Sequence, residues 1–392
     1  MIGSGLENLL RETEKEAQTR QDSQFDLACG PSERPLILFG AGNLGRWILR
    51  ELRKLGKEPA ALADNNGELW GTSIEGVAVL SPADAARKFA KDGLFVVSIW
   101  NPQVGVERIF RQLRVFGCRT VVPFVWLFWK HPSVFLPYYL WDAPSSIISQ
   151  AANVRRAFAA LADGESRDLF LSHLRLRLTG DFSSLPQPAS CAQYFPPDLY
   201  LPVDHECFVD CGAYNGDTIR AFTQWTSGRF RRIVAFEPDP ANFAALEACL
   251  SEELKLGDRA VARRCASGSV TGRVRFSADG SQAAAIAQHG AAEVDCVRLD
   301  DALAEEHPTF IKMDIEGAEP DAIEGATQLI RRDQLLMAVC VYHRQSDLWR
   351  IPLMIDAVEP GSNRLYLKQH AVDGFDLVCY SVPKARSLPE HN

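Results

Sequence analysis

From Pro35 onward, short apolar runs alternate with stretches whose apolar residues recur every three or four positions. "PLILFG" (35–40) reads as a buried strand, "NLGRWILRELRKLG" (43–56) as an amphipathic helix and "EPAALAD" (58–64) as a second strand. "LSPADAARKFA" (80–90) is a helix opened by Ser81 and Pro82. "LFVVSIW" (94–100), "PQVGVERIFRQLRVFG" (102–117) and "RTVVPF" (119–124) continue the series as strand, helix and strand. About four strands are expected in this small first block. Residues 1–30 are polar, and read as a helix or loose tail. Residues 126–200 show helical periodicity over 145–180, then the proline-rich "FSSLPQPASCAQYFPPDLYLP" (182–202), and no clear strand.

Alternation resumes at "CFVDCGAYNGDT" (207–218). "RRIVAFEPD" follows, then a helix from about 241 to 256, "RAVARRCAS", "GRVRFSA", "AEVDCVRLDDAL", "TFIKMDIEG", a helix over "PDAIEGATQLIRRD", "LLMAVCVYH", and the pair "NRLYLKQH" and "FDLVCYSVP". Short strands alternating with helices predict two α/β units with parallel sheets. The expected organisation is a tail (1–30), a small Rossmann-like domain (31–125), a helical connector or lid (126–200) and a larger Rossmann-like domain (201–392).

Composition narrows the function. The chain has 392 residues, 46% hydrophobic and 23% charged, with a net charge of −8. That is ordinary for globular domains and lacks the basic stripe of a nucleic-acid surface. Ten cysteines fall in no regular framework, and the N-terminus lacks a signal-peptide apolar core, which suits a cytoplasmic protein. The apolar stretch 120–141 is broken by Pro123, Pro132 and Pro137 and carries Lys130 and His131. It reads as packed connection rather than a membrane span, peripheral membrane contact being the alternative. Oligomeric state stays open, and the N-terminal helix is suited to pairing two copies.

Asp210 ends a predicted strand and Gly212 and Gly216 follow, spacing that lets backbone approach a ligand. Glu237 ends the next strand, where an acid can hold both ribose hydroxyls. Taken together, "FVDCGAYNGDT", "VAFEPDPANFAAL", "VRLDDAL" and "IKMDIEGAEPDAIEGA" resemble the FkbM-type S-adenosylmethionine-dependent methyltransferases, over roughly 207–383. The resemblance implies a class I methyltransferase sheet, S-adenosylmethionine as cofactor and methylation of a hydroxyl on a saccharide or similar small molecule. It also implies that Asp210, Gly212, Ala213, Tyr214, Asn215, Gly216, Asp217 and Thr218 wrap the methionine part. Glu237 would bind the ribose, with Pro238, Asp239 and Asn242 bordering the adenosine. Ala266 and Ser267 would lie near adenine, where many methyltransferases have an acid and this chain has Ser267.

Asp314 ends the following strand, and a carboxylate there is compatible with the donor's ammonium and sulfonium. Glu316 forms the next turn. Glu319, Asp321 and Glu324 fall in the first turns of the next helix, where acids complement the helix dipole. His343, after "LLMAVCVY", is the candidate base for the acceptor's proton, with Asp314 as rival. A divalent cation on Asp314, Glu316 and Asp300 is the weighed alternative; the reading is that no metal is bound, for want of a further ligand.

In the first block, Gly40, Gly42 and Gly45 form G-x-G-x-x-G between strand and helix, with Asn43 opening the helix and Asp64 ending the next strand. This leaves three tenants: a nucleotide or nucleotide-sugar, NAD with oxidoreductase chemistry, or none, the block acting as scaffold. "GAGNLGR" with "ADNNGELWGTSIEGVAVLSP" is similar to small Rossmann-like domains attached to sugar methyltransferases and acyltransferases. The aromatics of "YYLW" (138–141) and "QYFPPDLY" (193–200) could stack on a sugar, but simple core packing is the preferred reading. A non-catalytic assembly protein retaining both folds completes the alternatives.

Overall fold

The computed structural model describes residues 2–30, 34–277, 285–286 and 292–388. The last residue of "GRVRFSA" and parts of the span assigned to the larger domain lie outside them. The chain divides into two compact units. The first comprises 1–151, 171–187 and 371–375; the second comprises 152–170, 188–370 and 376–392. The stretch 126–200 is therefore shared between the two units.

In the first unit, β1 (Leu36–Phe39), β2 (Ala61–Ala63), β4 (Val77–Leu80), β5 (Leu94–Val97) and β6 (Thr120–Pro123) form a parallel sheet in the order β4-β2-β1-β5-β6. A short β3 (Ser73–Ile74) is antiparallel at its edge. The sheet has six strands rather than about four, because "SIEGVAVL" makes a hairpin that its turn-rich setting hides. The apolar stretch 120–141 supplies this unit's core: Phe124, Phe128, Trp129, Phe135 and Trp141 are fully buried, and Tyr138 stacks on Trp47 at 5.3 Å. Its aromatic faces are spent on packing. Among the described residues no helix is long and apolar enough to cross a membrane.

The second unit carries a seven-stranded sheet built from β7 (Cys207–Cys211), β8 (Arg232–Phe236), β9 (Ala260–Arg263), β14 (Phe310–Met313), β15 (Leu336–Cys340), β16 (Asn363–Gln369) and β17 (Leu377–Pro383). Its order is β16-β17-β15-β14-β7-β8-β9, parallel except for β17. Beside it lies a small sheet of β10 (Ala266–Ser267), β11 (Gly272–Ser277), β12 (Ala285–Ile286) and β13 (Ala292–Val297), in the order β10-β13-β11-β12. The large sheet is doubly wound. From β7 the chain moves outward through β8 and β9, then returns to add β14 on the other side of β7. The crevice at the carboxyl ends of β7 and β14 is the switch point where such sheets take ligands.

Candidate functional site

β7 and β14 are apolar runs with one charge each, Asp210 and Lys312, and the parallel register sets these two side by side. Both are buried, with Lys312 Nζ 3.1 Å from Asp210 Oδ1. The ammonium also donates to the carbonyl of Gly212 at 2.7 Å. Neither Asp210 oxygen accepts a well-directed hydrogen bond from a described residue. Burial pushes the Asp210 carboxyl up to about 6, against the pull of Lys312. Burial works to lower the Lys312 pKa, but Asp210 and Asp314 outweigh it and hold the ammonium charged.

The turn after β7 is built on glycine for a packing reason. Gly212 has φ +80, and a Cβ there would lie 2.0 Å from the carbonyl oxygen of Asp314. Gly216 has φ +85, and its Cβ would meet Cys249 Sγ at 2.6 Å. Tyr214 adopts the left-handed region without glycine's freedom, at φ 46. Its amide donates to Glu237 Oε2 at 2.8 Å, and the Asp239 amide to Oε1 at 2.9 Å. The end of β8 is thereby tied to the loop after β7, and burial raises the pKa of Glu237. Each Glu237 oxygen keeps a second lone pair for a ligand hydroxyl. Asn215 Oδ1 is buried without a partner among the described residues.

After β14 the acids converge. Asp314 Oδ2 accepts from the Tyr194 hydroxyl at 2.8 Å, and Oδ1 lies 3.3 Å from His343 Nε2. Glu316, in the left-handed region at φ 55, brings Oε1 to 3.7 Å from the same nitrogen. Glu319 Oε1 lies 2.9 Å from His343 Nδ1 and accepts the Ile315 amide at 2.8 Å. Asp347 accepts the Arg344 amide at 2.9 Å. Burial works to lower the pKa of His343, but Glu319 first, then Glu316 and Asp314, push it up to about 10. Burial raises Glu316 to about 7, helped by Asp314 and Glu319 against His343. Asp347 is pushed to about 7 and Asp376 to about 6, again mainly by burial. Burial works to raise Asp314 too, but Lys312, His343 and the Tyr194 hydrogen bond outweigh it and keep its pKa low.

Asp210, Glu237, Asp314 and Glu316 thus all sit at or just beyond the ends of adjacent strands, and His343 joins Asp314 and Glu316. One expectation needs correction, and two of the alternatives can be placed. Glu319 is not a solvated helix-dipole acid: it is fully buried against His343, whereas Asp321 and Glu324 are exposed. Asp300 is no ligand of this group; it pairs with Arg298 and accepts the Leu329 amide at 2.9 Å, capping a helix. Of "QYFPPDLY", Phe195 and Tyr200 are core, while buried Tyr194 reaches the site through its hydroxyl, with Lys312 Nζ over its ring.

The remaining candidates lie nearby in sequence rather than at the cluster. Asp217 is exposed at the start of the helix Asp217–Trp225, and its carboxylate accepts the amide of buried Thr218 at 2.7 Å. Asp239 caps the helix Pro240–Ala248 through the amides of Ala241 and Asn242. Ala213 donates its amide to Phe236 O. Pro238 continues the β8 turn, and Ala266 and Ser267 form β10, both buried. In the first unit, Asp64 accepts the amides of Ala41 at 2.6 Å and Asn66 at 2.7 Å. Gly40 and Gly45 are packing glycines, whereas a Cβ on Gly42 would meet nothing within 4 Å. Gly42 caps the helix that Asn43 begins.

Sequence reasoning missed Lys312, Asp347 and Asp376, and offered Tyr194 only as a ring that could stack on a sugar, not as the partner of Asp314. Lys312 alone had a local signal: a single cation in one predicted buried strand and a single acid in another have each other as natural partners.

No curated protein matches the chain. A crystal structure of methyltransferase FkbM from Methylobacillus flagellatus KT is similar, with a TM-score of 0.75 and 23% identity, covering 93% of this chain and 100% of that one. A precorrin-6y C5,15-methyltransferase from Geobacter metallireducens GS-15 gives a TM-score of 0.29 at 11% identity, over 46% of this chain and 80% of that one. An Aquifex aeolicus SAM dependent methyltransferase gives 0.27 at 8% identity, over 46% and 84%. The last two are too distant to carry an argument. The methyltransferase FkbM domain model matches residues 210–370, which run from the Asp210 of the β7 turn through the Asp314 cluster to the end of β16. That match places a methyltransferase FkbM domain over residues 210–370, within the unit that carries the doubly wound sheet and its acid-lined switch point.

Proposed function

We propose that the chain is an S-adenosylmethionine-dependent O-methyltransferase acting on a hydroxyl of a saccharide or similar small molecule. The observation that carries this reading is the carboxylate set at the switch point, Asp314 with Glu316 and His343 beside the Asp210–Lys312 pair. The residues fit the donor: Asp210 and Asn215 have buried oxygens lacking directed partners among the described residues, and Glu237 has spare lone pairs for a ribose. Asp210 to Thr218 would hold its methionine part and Glu237 its ribose, with Pro238, Asp239 and Asn242 beside the adenosine. When bound, the donor supplies a methyl group on a sulfonium, open to in-line attack.

The chain's own part is to align the acceptor and move one proton. Glu316, with a pKa of about 7, is matched to accept it near neutral pH. Asp314, held ionised, and His343 orient the acceptor hydroxyl. Tyr194 fixes the Asp314 carboxylate from the other side. The test is methyl transfer from labelled donor to a panel of nucleotide sugars, free saccharides and phenols, with wild type and Glu316→Gln. Label should enter a hydroxyl and fall in the variant. Label appearing only on nitrogen, or on nothing in the panel, would defeat the O-methyltransferase reading.

A second reading places hydride chemistry in the first unit, favoured by the Gly40–Gly45 loop and Asp64. It requires NADH binding that disappears in Gly42→Val.

A further inference from the structure

We infer that Asp314, Glu316 and His343 form a binding site for a divalent first-row cation of the Mn2+ type. Asp314 Oδ1, Glu316 Oε1 and His343 Nε2 lie within 4.8 Å of one another. The nitrogen is 3.3 Å from the first oxygen and 3.7 Å from the second. Ligands about 2.1 Å from a shared ion at right angles stand about 3 Å apart, so small side-chain shifts suffice to close a three-ligand face.

The polar surroundings of His343 can accommodate a cation. Glu319 Oε1, 2.9 Å from His343 Nδ1, is fixed by the Ile315 amide and is fully buried. It is the outer carboxylate that metal-bound histidines commonly have, favouring the proton on Nδ1 and the lone pair on Nε2. That lone pair then faces two carboxylate oxygens. Three electron-rich atoms converge, and they repel unless a positive charge lies between them; without a metal that charge is the imidazolium itself, and a bound cation would take the place of its Nε2 proton. His343 is 4% exposed, and neither of its ring nitrogens has a well-directed hydrogen bond to a described residue, the Glu319 contact at Nδ1 being an ion-pair distance; Asp314 Oδ1 has none either. A proton on Nε2 is therefore poorly aimed at both acceptors, whereas an ion needs only their distances. Five carboxylates (Asp314, Glu316, Glu319, Asp347 and Asp376) enter the electrostatics around His343, against the buried ammonium of Lys312 and the exposed guanidinium of Arg344.

The side chains of Asp314 and Glu316 are 24% and 17% exposed, against 1% for His343. The ion's remaining positions therefore open on the carboxylate side. Two carboxylates and one imidazole suit a cation between the hard and borderline classes. The use of this ion in catalysis rests on the methyltransferase reading: it would replace Glu316's role as proton acceptor, binding the acceptor oxygen and making its hydroxyl more acidic. Such an ion selects acceptors with a second oxygen next to the reacting one, a vicinal diol or a hydroxy acid. Its existence does not rest on that reading.

The test strips the full chain with a chelator, titrates it with Mn2+, and reads free ion by electron paramagnetic resonance. S-adenosylhomocysteine binding is measured on the same samples. The expected result is one Mn2+ per chain, weakened about 10–100-fold by Glu319→Gln and at least as much by Glu316→Gln. Glu316 is a partly exposed turn residue, so its variant keeps the test valid if changes at buried His343 or Glu319 disturb folding. Absence of Mn2+ binding in a protein that binds S-adenosylhomocysteine overturns the inference and leaves the methyltransferase reading standing. Mn2+ binding unaffected by Glu316→Gln also overturns it. Mn2+ binding that responds to these variants, in a protein that does not bind S-adenosylhomocysteine, supports the cation site and counts against the donor instead.

Discussion

Replacing Lys312 by methionine removes the one buried ammonium at the switch point while keeping most of its length. Its Nζ lies 3.1 Å from Asp210 Oδ1, so at an effective dielectric of about 20 the lost attraction is about 5 kcal/mol. Removing one partner of a buried pair costs about 3–5 kcal/mol, because the other charge is left uncompensated. The carbonyl of Gly212 loses its donor as well. The sign of the pH dependence follows from Asp210, which titrates at about 6 in the native protein, above the ordinary aspartate value of about 3.9. A carboxyl with a raised native pKa weakens the native state above its unfolded value, and the loss grows as pH rises through the native one. Without Lys312 that native pKa rises further. Lys312 itself stays charged in both states well below pH 10, so it adds no slope in this range. Urea unfolding of wild type and Lys312→Met at pH about 7.5 and about 5.5 should give a loss of about 3–5 kcal/mol at the higher pH and a clearly smaller one at the lower. A loss under about 1 kcal/mol that is equal at both pH values would refute the reasoning.

Tyr194→Phe removes the hydroxyl bonded to Asp314 at 2.8 Å; a hydrogen bond to a charged group is worth about 1.5–3 kcal/mol, so kcat should fall about 10–100-fold with cofactor affinity little changed. In chelator-stripped protein the rate of wild type should rise with pH through about 7, since Glu316 accepts a proton only when ionised and not held by a cation, and Glu316→Gln should lower the rate and flatten that limb. Gly212→Ala puts a Cβ 2.0 Å from the Asp314 carbonyl at φ +80, and should both destabilise the second unit and weaken S-adenosylhomocysteine binding, read by urea unfolding and calorimetry.

The two α/β sheets were legible because short buried strands and amphipathic helices differ in period, and the turns between them carry glycine. What escaped the sequence was local or distant context. "VAVL" was hidden in a turn-rich stretch. The helix Asp347–Val358 carries Pro352, which reads as a breaker, yet the helix forms around it with Leu348, Ile351 and Ile355 buried. Within the site, Asp210, Glu237, Asp314 and Glu316 could be found because each follows a predicted strand. Tyr194 stands 120 residues before Asp314, in a proline-rich loop with no periodicity to place it. Glu319 was misjudged because an acid in a helix's first turn usually faces water; here the turn after β14 folds it under His343. No local pattern states which side chains a tertiary fold brings to a strand end.

The central claim is that the switch point of the second unit holds the methyl donor. Calorimetric titration of the full chain with S-adenosylhomocysteine, alongside NADH and with Glu237→Ala as comparison, tests it most directly. The account predicts S-adenosylhomocysteine binding that is lost in Glu237→Ala, with NADH silent. NADH binding in a protein that ignores S-adenosylhomocysteine would contradict it and move the chemistry to the Gly40–Asp64 loop.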